Sequence, residues 1–202
     1  MTKLAIVDYH AGNLASVRKA FEHLGHETVI TEDPGLVRRT RRLVVPGVGH
    51  FTATQRLTEV GLREAIREAL AQGASFLGIC VGMQWMFESS TEAPGVPGLG
   101  LFRGEVEKFS SRVKSPHVGW NQIEMLAPSR LLAGVPSGAF VYYTHSYRVP
   151  VMEATVAKTD YGTPFTGVVE RANLFGVQFH PEKSGQAGLR ILDNFAMLED
   201  AA

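Results

Sequence analysis

The chain has 202 residues, 45% of them hydrophobic and 20% charged, a globular balance that excludes disorder and can fill the core of a single domain spanning 1–202. Lysine plus arginine equals aspartate plus glutamate at 20 each, so no net basic field exists to draw in nucleic acid or an anionic membrane surface. One cysteine excludes an internal disulfide framework, no apolar run nears the about 20 residues of a bilayer span, and Met1 to Asp8 lacks an export-signal pattern, so a cytoplasmic location is expected.

In chain order, Leu4 to Val7 reads as a buried strand. Leu14, Val17, Phe21 and Leu24 recur at spacings of three and four, the stripe of an amphipathic helix with Gly25 as its C-cap. Thr28 to Thr31 reads as a second strand, and Leu43 to Val45 as a third that stops at Pro46-Gly47-Val48-Gly49. Leu62, Ile66, Ala69 and Leu70 mark another helix. Ser75 to Ile79 is a strand ending at Cys80, and Val81 to Phe87 is predicted helical. This alternation is the pattern of a parallel sheet covered by helices.

From Leu101 the pattern changes to strand-like runs: Leu101 to Phe109, Asn121 to Met125, Ala139 to Tyr143, Thr155 to Thr159, Phe165 to Glu170 and Leu174 to Phe179. A closing helical stripe follows at Leu189, Leu192, Phe195 and Leu198. The expected class is therefore α/β with a mixed, largely parallel sheet and a smaller antiparallel part in the second half. Ala93 to Gly100, rich in proline and glycine, reads as a loop.

Gly78-Ile79-Cys80-Val81-Gly82 has the form of a nucleophile elbow, in which a strand turns sharply into a helix with the reactive residue at the bend. The glycines let the backbone close up, and a thiol at a helix N-terminus gains from the helix dipole and free amides. A lone intracellular cysteine is otherwise a small buried hydrophobe, but the end of a strand before a helix is where open α/β sheets place their ligands. A nucleophilic cysteine needs a base. Of the 7 histidines, His180 stands out because Glu182 follows two residues on. Across Pro181, in an extended segment, the two side chains share a face. Cys80, His180 and Glu182 thus supply the attacking, proton-shuttling and orienting roles of a triad. Acyl transfer also needs oxyanion donors. The amide of Val81 is one candidate and that of Val48, between two glycines that let its peptide reorient, is another; an ordinary glycine-rich turn is the alternative for the Val48 segment.

Gly78 to Gln84 together with His180-Pro181-Glu182 resembles the class I glutamine amidotransferase family over essentially the whole chain. Asp8 to Asn13, Pro46 to Phe51, His117 to Asn121 and Tyr142 to Tyr147 are similar to the branch of that family serving histidine biosynthesis. The resemblance implies a flavodoxin-like three-layer fold with helices on both faces of an open sheet. It also implies a glutaminase with the triad just named, and a glutamine pocket formed by Gly49, Gln84, Glu92, Ser146 and Tyr147. A cyclase partner with a (β/α)8 barrel would receive the ammonia as the second member of a heterodimer, and Trp120, Asn121, Tyr142 and Lys183 are the interface candidates.

Amidotransferases serving other acceptors, a stand-alone cysteine peptidase and a silent scaffold are the rival readings. Trp120-Asn121 argues against the first and Gln84 against the second. No metal site is implied, because His180 and Glu182 lack further ligands at recognisable spacing. No organic cofactor is implied either, since the glycine-rich segments match neither a phosphate loop nor a dinucleotide fingerprint.

Overall fold

The structure, a computed structural model, describes residues 4–198. Its elements are β1 (Leu4–Val7), α1 (Leu14–His23), β2 (Thr28–Thr31), α2 (Pro34–Arg39), β3 (Arg42–Gly47), a 3₁₀ turn (Phe51–Thr54), α3 (Gln55–Glu59), α4 (Leu62–Ala71), β4 (Ser75–Cys80), α5 (Val81–Gln84) and β5 (Ser89–Ser90). There follow β6 (Glu105–Lys108), β7 (His117–Gln122), β8 (Glu124–Met125), β9 (Phe140–His145), β10 (Tyr147–Arg148), β11 (Thr155–Asp160), β12 (Pro164–Arg171), β13 (Leu174–Val177), a second 3₁₀ turn (Pro181–Lys183) and α6 (Gly185–Ala196).

Eight strands form one sheet in the order β2-β1-β3-β4-β13-β12-β11-β8. From β2 to β13 neighbouring strands run parallel, and from β13 to β8 antiparallel. Alternate residues of β1 feed two apolar clusters: Leu4 and Ile6 pack with Val17 and Phe21 of α1 and Ile191 and Phe195 of α6, whereas Ala5 and Val7 pack with Leu57 of α3, Leu62 and Ile66 of α4 and Met83 of α5. Both faces are covered, which is why the parallel strands read as continuous apolar runs. Smaller sheets, β7-β9 and β10-β6-β5, stand apart from the large one.

The helix of residues 14–23 ends as its sequence requires, one residue earlier than expected. Leu24 is the cap, and Gly25 beyond it has φ +83°. The amides of Gly25 and His26 donate to the carbonyls of Glu22 and Phe21, the paired bonds by which a left-handed glycine closes a helix.

Four expectations need correction. α5 stops at Gln84 rather than Phe87, and the strand expected over Leu101 to Phe109 is confined to Glu105–Lys108. The amides of Met86 and Phe87 donate to the carbonyls three residues back, so α5 tightens out of α geometry after Gln84. The amides of Gly98 to Phe102 take the carbonyls of Trp85 to Glu88, which bars any continuation of the helix and holds Leu101 and Phe102 out of the ladder. The run Asn121 to Met125 is two strands, because the chain leaves β9's partner strand at buried Ile123 and joins β11. β3 also runs on through Pro46 and Gly47, paired there with Ile79 and Cys80 of β4 after its ladder to β1 has ended at Val44. Proline is tolerated where only one side of the strand remains paired.

The elbow depends on missing side chains. A Cβ on Gly78 would lie 2.6 Å from the Gly82 carbonyl oxygen, and one on Gly82 would collide with the Val45 carbonyl oxygen. Gly82→Ala should therefore cost at least about 3 kcal/mol, the upper end for overpacking against fixed backbone. Gly95, whose added Cβ meets nothing within 4 Å, should lose only about 1 kcal/mol on the same change through its positive φ. Urea unfolding of the two variants checks the contrast.

Candidate active site

Three neighbouring parallel strands, β3, β4 and β13, end side by side, and each carries one part of the site at its carboxyl end. Gly47 pairs with Cys80 across β3 and β4, and Ile79 with Val177 across β4 and β13. This edge is where a sheet of this kind binds ligands. Val48 follows β3, Cys80 closes β4, and Gln178-Phe179-His180 follow β13.

Cys80 has φ +54° and ψ −110°, outside the wells that L-residues occupy, and such strain clusters at functional sites. It caps α5, whose first-turn amides, Val81's included, have no partner within the helix. Its sulfur is 3.7 Å from Gln178 Nε2 and 4.0 Å from the Thr144 carbonyl oxygen.

His180 and Glu182 meet at 2.9 Å, Nδ1 to Oε1, with both side chains nearly inaccessible. Their contact does not arise from an extended run as expected. His180 is extended, but Pro181–Lys183 forms a 3₁₀ turn, and the turn folds the carboxylate back under the imidazole. The strand within the run Leu174 to Phe179 ends at Val177, although the Gln178 amide still donates to the Gly167 carbonyl of β12. A carboxylate on Nδ1 holds the proton there and leaves Nε2 as the working nitrogen. Nε2 is buried and completes no hydrogen bond. Burial lowers the His180 pKa, but polar contact and charge from Cys80 and Glu182 outweigh it and push the value up to about 10. Such an imidazole can hold a proton at neutral pH and hand it to a leaving group.

Beside the sulfur lies a cavity of about 250 Å³ lined by Val48, Gly49, Cys80, Val81, Gln84, Glu92, Pro116, Thr144, His145, Ser146 and Tyr147. All five residues expected to hold glutamine are in that lining, with both oxyanion candidates. Gln84 is fixed by its amide nitrogen, which donates to the Tyr147 carbonyl (3.0 Å) and Gln178 Oε1 (3.1 Å), while its own Oε1 is buried and unpartnered. Glu92 Oε2 accepts the Phe51 amide at 2.8 Å, bracing the turn after Val48 and Gly49.

The four interface candidates divide. Trp120 packs edge-on to Tyr142 at 6.0 Å, and Lys183 Nζ sits 5.8 Å from the Tyr142 ring. With Val118 and Phe140, which like Trp120 are 56% exposed, they make one apolar face on β7 and β9. Asn121 points the other way, donating to the Asp160 carbonyl at 2.9 Å.

Sequence reasoning missed Gln178, which spans Gln84 and the Cys80 sulfur, and a buried histidine pair. His117 Nδ1 and His145 Nε2 are 3.1 Å apart, and His145 Nδ1 is 2.8 Å from the Tyr147 carbonyl. A carbonyl only accepts, so His145 carries its proton on Nδ1 and receives one from His117. The pair backs the wall of the cavity. Their signal was available in His117-Val118-Gly119-Trp120-Asn121 and Tyr142 to Tyr147, but nothing in spacing shows two histidines 28 positions apart in contact.

A profile of the glutamine amidotransferase class-I family matches residues 5–198. The chain is 47% identical to "Imidazole glycerol phosphate synthase subunit HisH" of Thermococcus kodakarensis over 96% of this chain and 100% of that one. It is 44% identical to the protein of the same name from Moorella thermoacetica, over 98% and 96%. In fold it is similar to a solved "glutamine amidotransferase" (TM-score 0.76, 19% identity, 96% and 100% covered) and to PurLQS of Thermotoga maritima (TM-score 0.73, 17% identity, 96% of each chain covered). The chain belongs to the class-I glutamine amidotransferases and, within them, to the family of imidazole glycerol phosphate synthase HisH subunits. Among the described residues, no helix is long and apolar enough to cross a membrane, and no group of three or more His, Cys, Asp or Glu residues could hold a metal ion.

Burial lowers the pKa of His117 to about 4 and of His145 to about 3. Groups depressed on folding contribute stability above their unfolded value near 6.5, and lose it as pH falls from there toward the folded values. Urea unfolding should therefore show stability declining below pH 6.5, with His145 adding up to about 1.4 kcal/mol per pH unit. His145→Gln should flatten that slope.

Proposed function

We propose that the chain is the glutaminase subunit of an imidazole glycerol phosphate synthase, acting as one amidotransferase domain through the triad Cys80, His180 and Glu182. The observation that carries the reading is the convergence of a strained cysteine and a buried histidine–carboxylate pair at one edge of the sheet, beside a cavity suited to a free amino acid. Near-full-length similarity to subunits of that name supports the acceptor assignment.

Glutamine enters the cavity with its side-chain amide toward Cys80. Gln84 Oε1 and Glu92 take its ammonium group, and the backbone of Gly49, Ser146 and Tyr147 holds the rest of the amino-acid end. The sulfur attacks the amide carbon, and the charge that develops on its oxygen is met by the Val81 amide and by that of Val48 once its peptide turns inward. His180 gives its Nε2 proton to the departing nitrogen, releasing ammonia and leaving a glutamyl thioester on Cys80. Water, losing its proton to His180, then hydrolyses the thioester to glutamate, while Glu182 holds the ring and balances its charge.

The ammonia passes to a cyclase subunit with a (β/α)8 barrel, forming a heterodimer with this chain. There it combines with a phosphorylated ribulosyl-amino imidazole carboxamide nucleotide to give imidazole glycerol phosphate and an aminoimidazole carboxamide ribotide for histidine biosynthesis. Val118, Trp120, Phe140 and Tyr142, with Lys183 at their edge, form the apolar face that fits such a partner. Exposed aromatic side chains of this kind are the anchors of an interface core, and a lysine belongs at its rim. A reduced thiol nucleophile fits a cytoplasmic enzyme.

Glutamate release should be weak for the chain alone and strongly stimulated by the cyclase subunit with its nucleotide. It should be absent in Cys80→Ala and reduced about a thousandfold or more in Glu182→Gln, by analogy with loss of the orienting carboxylate in other triads. Full activity of the isolated chain, indifferent to the cyclase, would remove the partner assignment.

A further inference from the structure

Tyr9 lies just past β1 in the segment Asp8-Tyr9-His10-Ala11-Gly12-Asn13, and no step above uses it. Its ring is packed among the apolar residues between the sheet and α4, and the residue is 1% exposed. The hydroxyl reaches under the end of β3 into space that exists only because residue 47 is glycine. A Cβ there would collide with Tyr9 Oη and would lie 2.8 Å from Val81 Cβ and 2.9 Å from the Gly82 nitrogen. The hydroxyl thus sits among the same backbone segments that carry both oxyanion candidates, yet it is buried without a hydrogen-bond partner. A phenylalanine would fill the ring's place without burying an unpaired donor, so the fold alone gives no reason for the oxygen. Burial, with the charge of Cys80 as the second cause, raises the Tyr9 pKa; the group is a neutral donor at any working pH.

We propose that the Tyr9 hydroxyl is a positioning group for the oxyanion peptide: when the Gly47–Val48 peptide turns its N–H toward the substrate, its carbonyl swings inward and accepts a hydrogen bond from Tyr9. The N–H and C=O of a trans peptide point in opposite directions, so a donor for one aimed at the cavity must leave the other aimed at the interior, where Tyr9 waits. In the arrangement of the structure the donor is unpaired. In the turned one it is satisfied, and its desolvation then favours the catalytic state over the resting state. This inference rests on the reading of Val48 as an oxyanion donor.

The test is Tyr9→Phe in the complex with the cyclase and its nucleotide, with wild type beside it. The expected result is a fall in kcat for glutamine hydrolysis of about tenfold, less than for a direct oxyanion donor, with KM within about twofold and a melting temperature unchanged or raised. An aldehyde analogue of glutamine, which Cys80 converts to a tetrahedral thiohemiacetal, should lose about as much affinity as kcat loses rate, while the affinity for glutamine in a Cys80→Ala background is unaffected. Unchanged kcat and aldehyde affinity in Tyr9→Phe would overturn the proposal, as would a lower melting temperature with equal losses for glutamine and aldehyde, the mark of a merely structural hydroxyl. Wild type that fails to hydrolyse glutamine would instead sink the glutaminase reading itself.

Discussion

Cys80 is held where an L-residue does not rest unaided, at φ +54° and ψ −110°, and most of the site's geometry follows from how that bend is enforced. Such a conformation costs on the order of 1–3 kcal/mol and persists only if its surroundings leave no alternative. Here β4 is paired on both sides up to the bend, to β3 and to β13. Gly78 and Gly82 then let α5 turn back so tightly that Gly82 lies against the Val45 carbonyl. Because the strand cannot fray and the helix cannot drift, the sulfur is delivered to the mouth of the cavity. The carboxyl ends of the flanking strands bring His180 to one side of it and the Val48 peptide to the other.

The second half of the chain supplies the walls. β9 touches both the inside and the outside of the site: His145 is half of the buried histidine pair and Tyr143 stacks on the other half, His117, while Phe140 and Tyr142 face out beside Trp120. Its backbone is tied to the base. The His180 amide donates to the Tyr142 carbonyl at 2.9 Å, and the Ser184 hydroxyl links the Tyr142 amide to the His180 carbonyl. The exposed aromatic face is therefore joined to the base through the backbone of β9, with no intervening loop.

Much of this was legible in residue order, for identifiable reasons. Strands covered on both faces write themselves as apolar runs, so β1 and β4 were read with their observed bounds, Cys80 closing the last, and the β-branched run Thr28–Thr31 marked β2 at the edge. The elbow and the His180-Pro181-Glu182 unit are local, and their chemistry is visible within a few residues. What was hidden depended on partners distant in sequence. The carbonyls just past α5 are claimed by amides of residues 98–102, which bars a longer helix, and the inward turn of Asn121 is set by Asp160. Gln178 looked like one more strand residue until β13 set it beside Cys80. The His180–Glu182 contact was anticipated for the wrong reason, because a 3₁₀ turn achieves what strand alternation was expected to do. α2 was missed because one turn of Leu36 and Val37 is too short to show a period, although Asp33-Pro34 announced its start and the Asp33 carboxylate does accept the Gly35 amide.

If Cys80 is a nucleophile aimed into a glutamine site, a substrate-shaped electrophile should find it. The most direct measurement is intact-mass analysis after exposure to a diazoketone analogue of glutamine, a reagent that alkylates a thiol only when seated like the substrate. With one cysteine in the chain, the account predicts a single adduct, located on Cys80 by peptide mapping, whose formation glutamine suppresses. An unmodified chain, or an adduct that forms equally fast in saturating glutamine, would contradict it.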